Sequence, residues 1–180
     1  MRENIEKTIV STEEIQKTVA RLGQEIQVDY QGKVPIFICI LKGAVLFMTD
    51  LIRAYDAPAE IEFMDVSSYG DAFESSGEVR ILKDLDIPVK GRDLIIVEDI
   101  IDTGRTLEAL IKLLQTREAA SIKICSFLNK PARRVINVHV DYTGVMVPDE
   151  FLVGYGLDYK NQYRNLPFVG VLKPEVYEQN

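Results

Sequence analysis

Apolar residues recur at helical spacing at Ile15, Val19, Leu22 and Ile26, behind Thr12 and Glu14, which predicts a capped amphipathic helix. The pattern then changes character. Val34 to Leu41 (VPIFICIL) is a short unbroken apolar run rich in β-branched residues, and it predicts a strand buried on both faces. Helical spacing returns from Gly43 through Ala44, Phe47, Met48, Leu51 and Ile52. Ile61 to Ser68, Leu94 to Glu98 and Ile122 to Leu128 read as further strands, with a helix over Thr106 to Arg117 between the last two. Shorter strand-like runs follow at Phe151 to Val153 and Phe168 to Leu172. The stretch SYGDAFESSGEV, opening at Ser68, is polar, Gly-containing and aperiodic, and predicts a long loop.

Strands alternating with helices predict an α/β fold with a parallel sheet. Ligands of such sheets sit beyond the carboxyl ends of the strands, so the chemistry is sought after Leu41, Ser68, Val97 and Leu128. Neither a repeat nor a Pro/Gly linker divides the 180 residues, and at roughly 150 residues per domain the length predicts one domain.

Composition narrows the function. With 47% hydrophobic and 27% charged residues the chain has an ordinary globular balance. Its 21 basic and 28 acidic residues give a net charge of −7, which argues against a nucleic-acid partner. No apolar run approaches the ~18 residues that cross a bilayer, and MRENIEKT lacks a signal-peptide core, so no membrane association and a cytoplasmic location are expected. Cys39 and Cys125 lie in apolar runs and read as core thiols rather than a disulfide framework. The single His139, in VINVHVDY, excludes multi-His metal sites and reads as an ordinary strand histidine.

The most informative segment is LIIVEDIIDTGRTLEAL, residues 94 to 110. Its strand delivers Glu98 and Asp99, adjacent carboxylates able to accept from a vicinal diol or to help hold Mg²⁺. Asp102-Thr103-Gly104-Arg105-Thr106 follows, just ahead of a helix, where free backbone N–H groups can cradle a phosphate. The spacing is not that of a Walker A loop. A capping turn carrying two surface acids is the plain alternative. A diol clamp and a phosphate cradle in one loop describe a ribose 5-phosphate.

VEDIIDTGRT resembles the ribose-phosphate signature of the type I phosphoribosyltransferases. LKGAVLFMTDLIR, VSSYG, LNKPARR and VPDEFLVGYGLDYKNQYRNLPFVGVL, in that order, resemble the hypoxanthine-guanine branch, so the likeness covers nearly the whole chain. The resemblance implies the type I fold, a central mainly parallel sheet flanked by helices. It also implies a small hood from the C-terminal segment, about 148–180, packed with the N-terminal region, and a mobile lid loop at about 69–80. The implied activity is purine salvage: 5-phosphoribosyl moves from phosphoribosyl pyrophosphate to hypoxanthine or guanine, giving IMP or GMP and pyrophosphate, with Mg²⁺ as cofactor. Homodimers or homotetramers are expected.

The same resemblance assigns roles to residues. Glu98 and Asp99 hold the ribose hydroxyls and metal, joined by Asp158 for a second Mg²⁺. Asp102 through Thr106 bind the 5′-phosphate. Lys42, Gly43, Ser68, Tyr69 and Arg164 bind pyrophosphate, with the Leu41–Lys42 peptide bond cis. Lys130 donates to the purine 6-oxygen, Phe151 stacks on the base, and Leu152 and Asp158 border it. Asp102 also faces the imidazole nitrogen as general base, with a helix cap as its plain alternative. Arg133 and Arg134 are placed near the pyrophosphate or, singly, in a basic surface loop. Asp71, Glu74 and Glu78 make the lid acidic, and Glu150 stands where some relatives carry Lys. A ligand-sensing, RNA-binding regulator on the same fold is the second hypothesis; Lys130, Phe151 and Asp158 weigh against it.

Overall fold

The buried run expected near residue 34 forms β2 (Ile36–Leu41), one of three adjacent parallel strands with β5 (Asp93–Ile101) and β6 (Ser121–Asn129). The computed structural model describes residues 1–68 and 79–178. Around these strands the chain adds β1 (Ile5–Val10), α1 (Thr12–Asp29), α2 (Val45–Ala54), β3 (Glu60–Ser68) and β4 (Val79–Lys83). It continues with α3 (Arg105–Thr116), β7 (Tyr142–Met146), β8 (Leu152–Val153), β9 (Val169–Leu172) and α4 (Pro174–Tyr177). The large sheet has the order β4-β3-β2-β5-β6-β7, parallel except where β4 runs against β3. A three-stranded antiparallel sheet, β1-β9-β8, brings the start and end of the chain together.

The central strands lack polar alternation because both faces are covered. Phe37, Cys39, Ile95 and Val97 pack with Leu22 and Ile26 of α1 and Phe47 and Leu51 of α2. Ile36, Ile38, Leu94 and Ile96 pack on the other face with Leu107, Leu110 and Leu114 of α3. Each such buried side chain contributes about 1.5–3 kcal/mol of transfer free energy. Both cysteines are buried and unpaired, as read from the sequence.

Several expectations change. Ser11, not Thr12, caps α1: its Oγ accepts from Glu14 N at 3.2 Å while Glu14 Oε2 accepts from Ser11 N at 2.7 Å. That reciprocal box needs a three-residue offset, which Thr12 and Glu14 lack. Thr12 instead donates to Pro167 O at 2.8 Å. β5 runs on to Ile101, so Glu98 and Asp99 lie within a strand rather than at its tip. VINVHVD is not a strand, which begins only at Tyr142, and His139 is exposed in the connection to β7, with Nε2 3.8 Å from Asp141 Oδ1. β7 escapes a pattern reading because it is short and carries Gly144. A Cβ there would lie 2.2 Å from Phe127 O, so only glycine lets β7 lie against β6. Of the expected lid, residues 69–78 lie outside the described residues, while Val79 and Arg80 begin β4.

Candidate active site

β2, β5 and β6 end side by side, and each end carries polar chemistry. After β2 the Leu41–Lys42 peptide bond is cis, Lys42 is exposed and Gly43 turns the chain into α2. Gly43 has no room for a side chain: a Cβ there would lie 1.6 Å from Asp99 Oδ2. A Cβ on Gly156, whose φ of +102° already suits glycine, would lie 2.0 Å from Gly43 O. The β2–α2 turn is therefore wedged between the Asp99 carboxylate of β5 and Gly156 of the segment after β8.

Glu98 is 8% exposed, and burial, with the Asp99 charge second, pushes its carboxyl well above the ordinary range. Burial likewise pushes Asp99 up to about 6. Its Oδ1 accepts from Ile100 N at 2.7 Å, and this contact and the Arg164 charge pull the other way. Arg164 Nη2 pairs with Asp158 Oδ1 at 2.8 Å and Nη1 donates to Gly156 O at 2.7 Å. Asp158 Oδ2 accepts from Asn161 N at 2.7 Å. The loop reaches these positions through left-handed backbone at Tyr155, Lys160, Asn161 and Tyr163.

Past β5, Gly104 is the N-cap of α3 at φ +84°, with no side-chain cap. Asp102 therefore does not cap the helix, and the plain alternative for it falls away. A Cβ on Gly104 would lie 2.6 Å from Ile136 O, and Thr103 O accepts from Val135 N and Ile136 N at 3.0 Å each. The turn is thus held from below while Thr103 Oγ1 accepts from Arg105 N at 3.4 Å. A cavity of about 210 Å³ opens against Glu98, Asp102, Thr103, Gly104 and Thr106. Arg105 is exposed at the head of α3 and does not line it.

A second cavity, of about 570 Å³, is lined by Lys130, Phe151, Leu152 and Asp158, together with Ile100 and Asp102. Lys130 is 7% exposed; its Nζ donates to Glu150 O at 2.9 Å and lies 3.8 Å from Asp149 Oδ1. Leu152 is buried in β8, opposite Val171. Phe151 remains 39% exposed.

Ile100 and Asp102 form the wall common to both cavities. Asp102 Oδ1 is buried without a hydrogen-bond partner, and Oδ2 is 3.8 Å from Arg133 Nη1. Gly43 and Arg164 close the far side of Asp99 and, like Lys42, line neither cavity. Ser68 ends β3, and Tyr69 is outside the described residues. Among the described residues no group of three or more His, Cys, Asp or Glu side chains is placed to hold a metal ion by itself.

Sequence reasoning passed over Ile100 and Leu157, which line the larger cavity, and offered Arg134 only the pyrophosphate or a surface loop. Ile100 was legible only as an apolar residue between acids, yet it separates the cavities. Arg134 is not a surface cation: its Nε donates to Asp102 O at 3.0 Å and its Nη2 to Asn129 Oδ1, bracing the turn beneath Asp102.

The profile of the phosphoribosyl transferase domain matches residues 7–160. The chain is 55% identical over 178 residues to the hypoxanthine-guanine phosphoribosyltransferase of Bacillus subtilis, covering 99% of both chains. It is 50% identical over 179 residues to the bifunctional protein TilS/HprT of Listeria monocytogenes, covering 99% of this chain but spanning only 28% of that protein's length. The crystal structure of a hypoxanthine phosphoribosyltransferase from Staphylococcus aureus superposes with a TM-score of 0.95 at 47% identity, covering 98% of this chain and 96% of that one.

Proposed function

The chain belongs to the phosphoribosyltransferase family, and from that premise we propose that it transfers 5-phosphoribosyl from phosphoribosyl pyrophosphate to hypoxanthine or guanine. The products are IMP or GMP and pyrophosphate, and the process is purine salvage. The observation that carries this reading is Asp102, whose unpartnered Oδ1 lies where a hydroxyl-lined cavity meets an aromatic one. One cavity suits a sugar phosphate and the other a flat base.

On this reading the 5′-phosphate sits on the amides of the first turn of α3, taking Arg105 N over from its long contact with Thr103 Oγ1, and is helped by the Thr103 and Thr106 hydroxyls. Arg105 contributes through its backbone. Glu98 and Asp99 accept from the ribose hydroxyls and, once ionised, face the positive charge that grows on the anomeric carbon as pyrophosphate leaves. Lys42, Gly43, Ser68, Tyr69 and Arg164 take the pyrophosphate, Lys42 through its exposed ammonium or its backbone N–H. Lys130 donates to the purine 6-oxygen, Phe151 stacks on the ring, and Leu152 and Asp158 border its edge. Asp102 Oδ1 takes the proton from the imidazole nitrogen as the base becomes nucleophilic.

The residues fit Mg²⁺. Glu98 and Asp99 are adjacent oxygen-only ligands whose burial raises their proton affinity, which marks a site short of positive charge. Mg²⁺ is commonly held by one or two carboxylates, water and substrate oxygens rather than by a protein cage. Glu98 and Asp99, with Asp158 for a second ion, would hold it; bound there, it supplies charge neutralisation for the departing diphosphate.

The chain is read as one domain, with β8, β9 and α4 as a base-binding hood tied to β1. It is also read as a homodimer or homotetramer. Ile61 and Phe63 stand in register with Phe37 and Cys39, on the face that α1 and α2 cover, yet are 44% and 37% exposed. No helix among the described residues is long and apolar enough to cross a membrane, and two buried free thiols suit a cytoplasmic protein. Presenting hypoxanthine, guanine, xanthine and adenine in turn, with phosphoribosyl pyrophosphate and Mg²⁺, tests the activity. Turnover of the first two, with one pyrophosphate per mononucleotide, is expected; turnover of neither overturns the reading.

A further inference from the structure

Phe151 stands just ahead of the two-residue strand β8 and is more than one-third exposed, so no strand of its own fixes the ring. Neighbouring tyrosines orient it instead. Tyr177 stacks on it with centroids 4.8 Å apart and planes at 19°, and Tyr159 meets it nearly perpendicularly at 5.7 Å. Tyr177 lines the same cavity as Phe151. It comes from α4 and packs, with Val176, against a small core of Val153, Tyr163, Leu166 and Leu172 that is separate from the two faces of the large sheet. The backbone repeats the connection: Leu172 N donates to Phe151 O at 2.8 Å and Lys173 N to Asn4 O at 3.0 Å.

From this we infer that Tyr177 is a positioning residue for the purine, holding the Phe151 ring in its stacking orientation while itself packed against the small core. The inference rests on the proposed function, since it presupposes that a base binds at Phe151. The physical reason is preorganisation. A half-exposed aromatic ring samples rotamers freely, and ordering it on binding costs roughly two- to tenfold in affinity. A neighbour stacked at 19° and anchored in a core meets that cost before the ligand arrives. The effect belongs to base binding, because Tyr177 lines the aromatic cavity and not the one at Thr103–Thr106.

Three substitutions test this: Tyr177→Ala, Tyr177→Leu and Tyr177→Phe. Leucine keeps apolar contact with the small core without a stacking face, which separates loss of the stack from loss of the fold; phenylalanine keeps the stack. Steady-state kinetics with saturating phosphoribosyl pyrophosphate, and calorimetric binding of the mononucleotide product, are the two readouts. Tyr177→Ala and Tyr177→Leu are expected to raise the purine KM and the product Kd roughly three- to tenfold. The KM of the phosphoribosyl donor stays within about twofold, and Tyr177→Phe matches the parent. A purine KM unchanged in Tyr177→Leu overturns the inference. So does a lowered KM, which would place the Tyr177 ring where the base should lie. A parent enzyme that turns over no purine fails the proposed function instead, so the two failures are distinct.

Discussion

Gly43 and Asp99 occupy one another's space: a Cβ on Gly43 would lie 1.6 Å from Asp99 Oδ2. The carboxylate can step aside only by giving up Ile100 N, which holds its other oxygen at 2.7 Å. Gly43→Ala is therefore expected to move the carboxylate without unfolding the protein. Displacements near 1 Å at reacting groups cost on the order of a hundredfold. A fall of that order in kcat/KM for phosphoribosyl pyrophosphate, with the melting temperature lowered only slightly, is the expected result. Parent-like kinetics would show that Asp99 needs no such fixed position.

Asp102 carries the proton-transfer claim. Replacing it by Asn keeps the shape of the turn and the Arg134 contact, which goes to the backbone oxygen. A positioned general base contributes roughly 10²–10⁴-fold, so Asp102→Asn should lose at least a hundredfold in kcat. Mononucleotide binding by calorimetry should stay within a few-fold. Equal turnover in variant and parent would remove Asp102 from the chemistry.

The strands that build the site were legible because they are buried on both faces and therefore unbroken in hydrophobicity. β1 was not, since IEKTIV has an exposed, charged middle and gains its partner, β9, from the other end of the chain. The residues of VEDIIDTGRT were legible as a diol-and-phosphate pattern, and the structure gathers most of them around one cavity. What no linear reading supplies is which atoms are left unpartnered. Asp102 Oδ1 is free of partners because Gly104, three-dimensionally pinned under Ile136, takes the cap position. Arg134 read as a surface cation because the carbonyls it braces come from a different strand.

Burial of Glu98 and Asp99 makes the substrate-free site costly at neutral pH. Asp99 rises from 3.8 to about 6, so between those values the folded protein binds a proton that the unfolded chain does not. Stability of the metal-free protein should therefore fall as pH rises through this window. Asp99→Asn removes that burden and also relieves Glu98 of a like charge. The gain at pH 7 is on the order of 2 kcal/mol, several degrees in melting temperature; it shrinks as pH falls and is gone only well below 3.8, where both states are protonated. Thermal melts in EDTA across pH 4–8 check this; a variant no more stable than the parent at pH 7 contradicts it.

Phe63 tests the assembly. Its ring lies on a sheet face that is core elsewhere, and α2 does not cover it. Phe63→Glu, at a residue that lines neither cavity, should shift the protein to a smaller species by light scattering while leaving the far-ultraviolet spectrum unchanged. A parent that already runs as a monomer would remove the expectation of an oligomer.

Lys130 separates selectivity from support. Its buried ammonium has three donors and gives one to Glu150 O at 2.9 Å. A 6-oxygen accepts from it, whereas a 6-amino group presents a hydrogen to a hydrogen, and a buried unsatisfied donor costs ~1–3 kcal/mol. Lys130→Met should therefore lower kcat/KM for hypoxanthine much more than for adenine. The ratio of the two is expected to narrow by about tenfold or more, as a lost buried polar contact predicts. If both substrates lose equally, Lys130 acts only by holding the Glu150 carbonyl, and selectivity against the 6-amino group must come from elsewhere in the cavity.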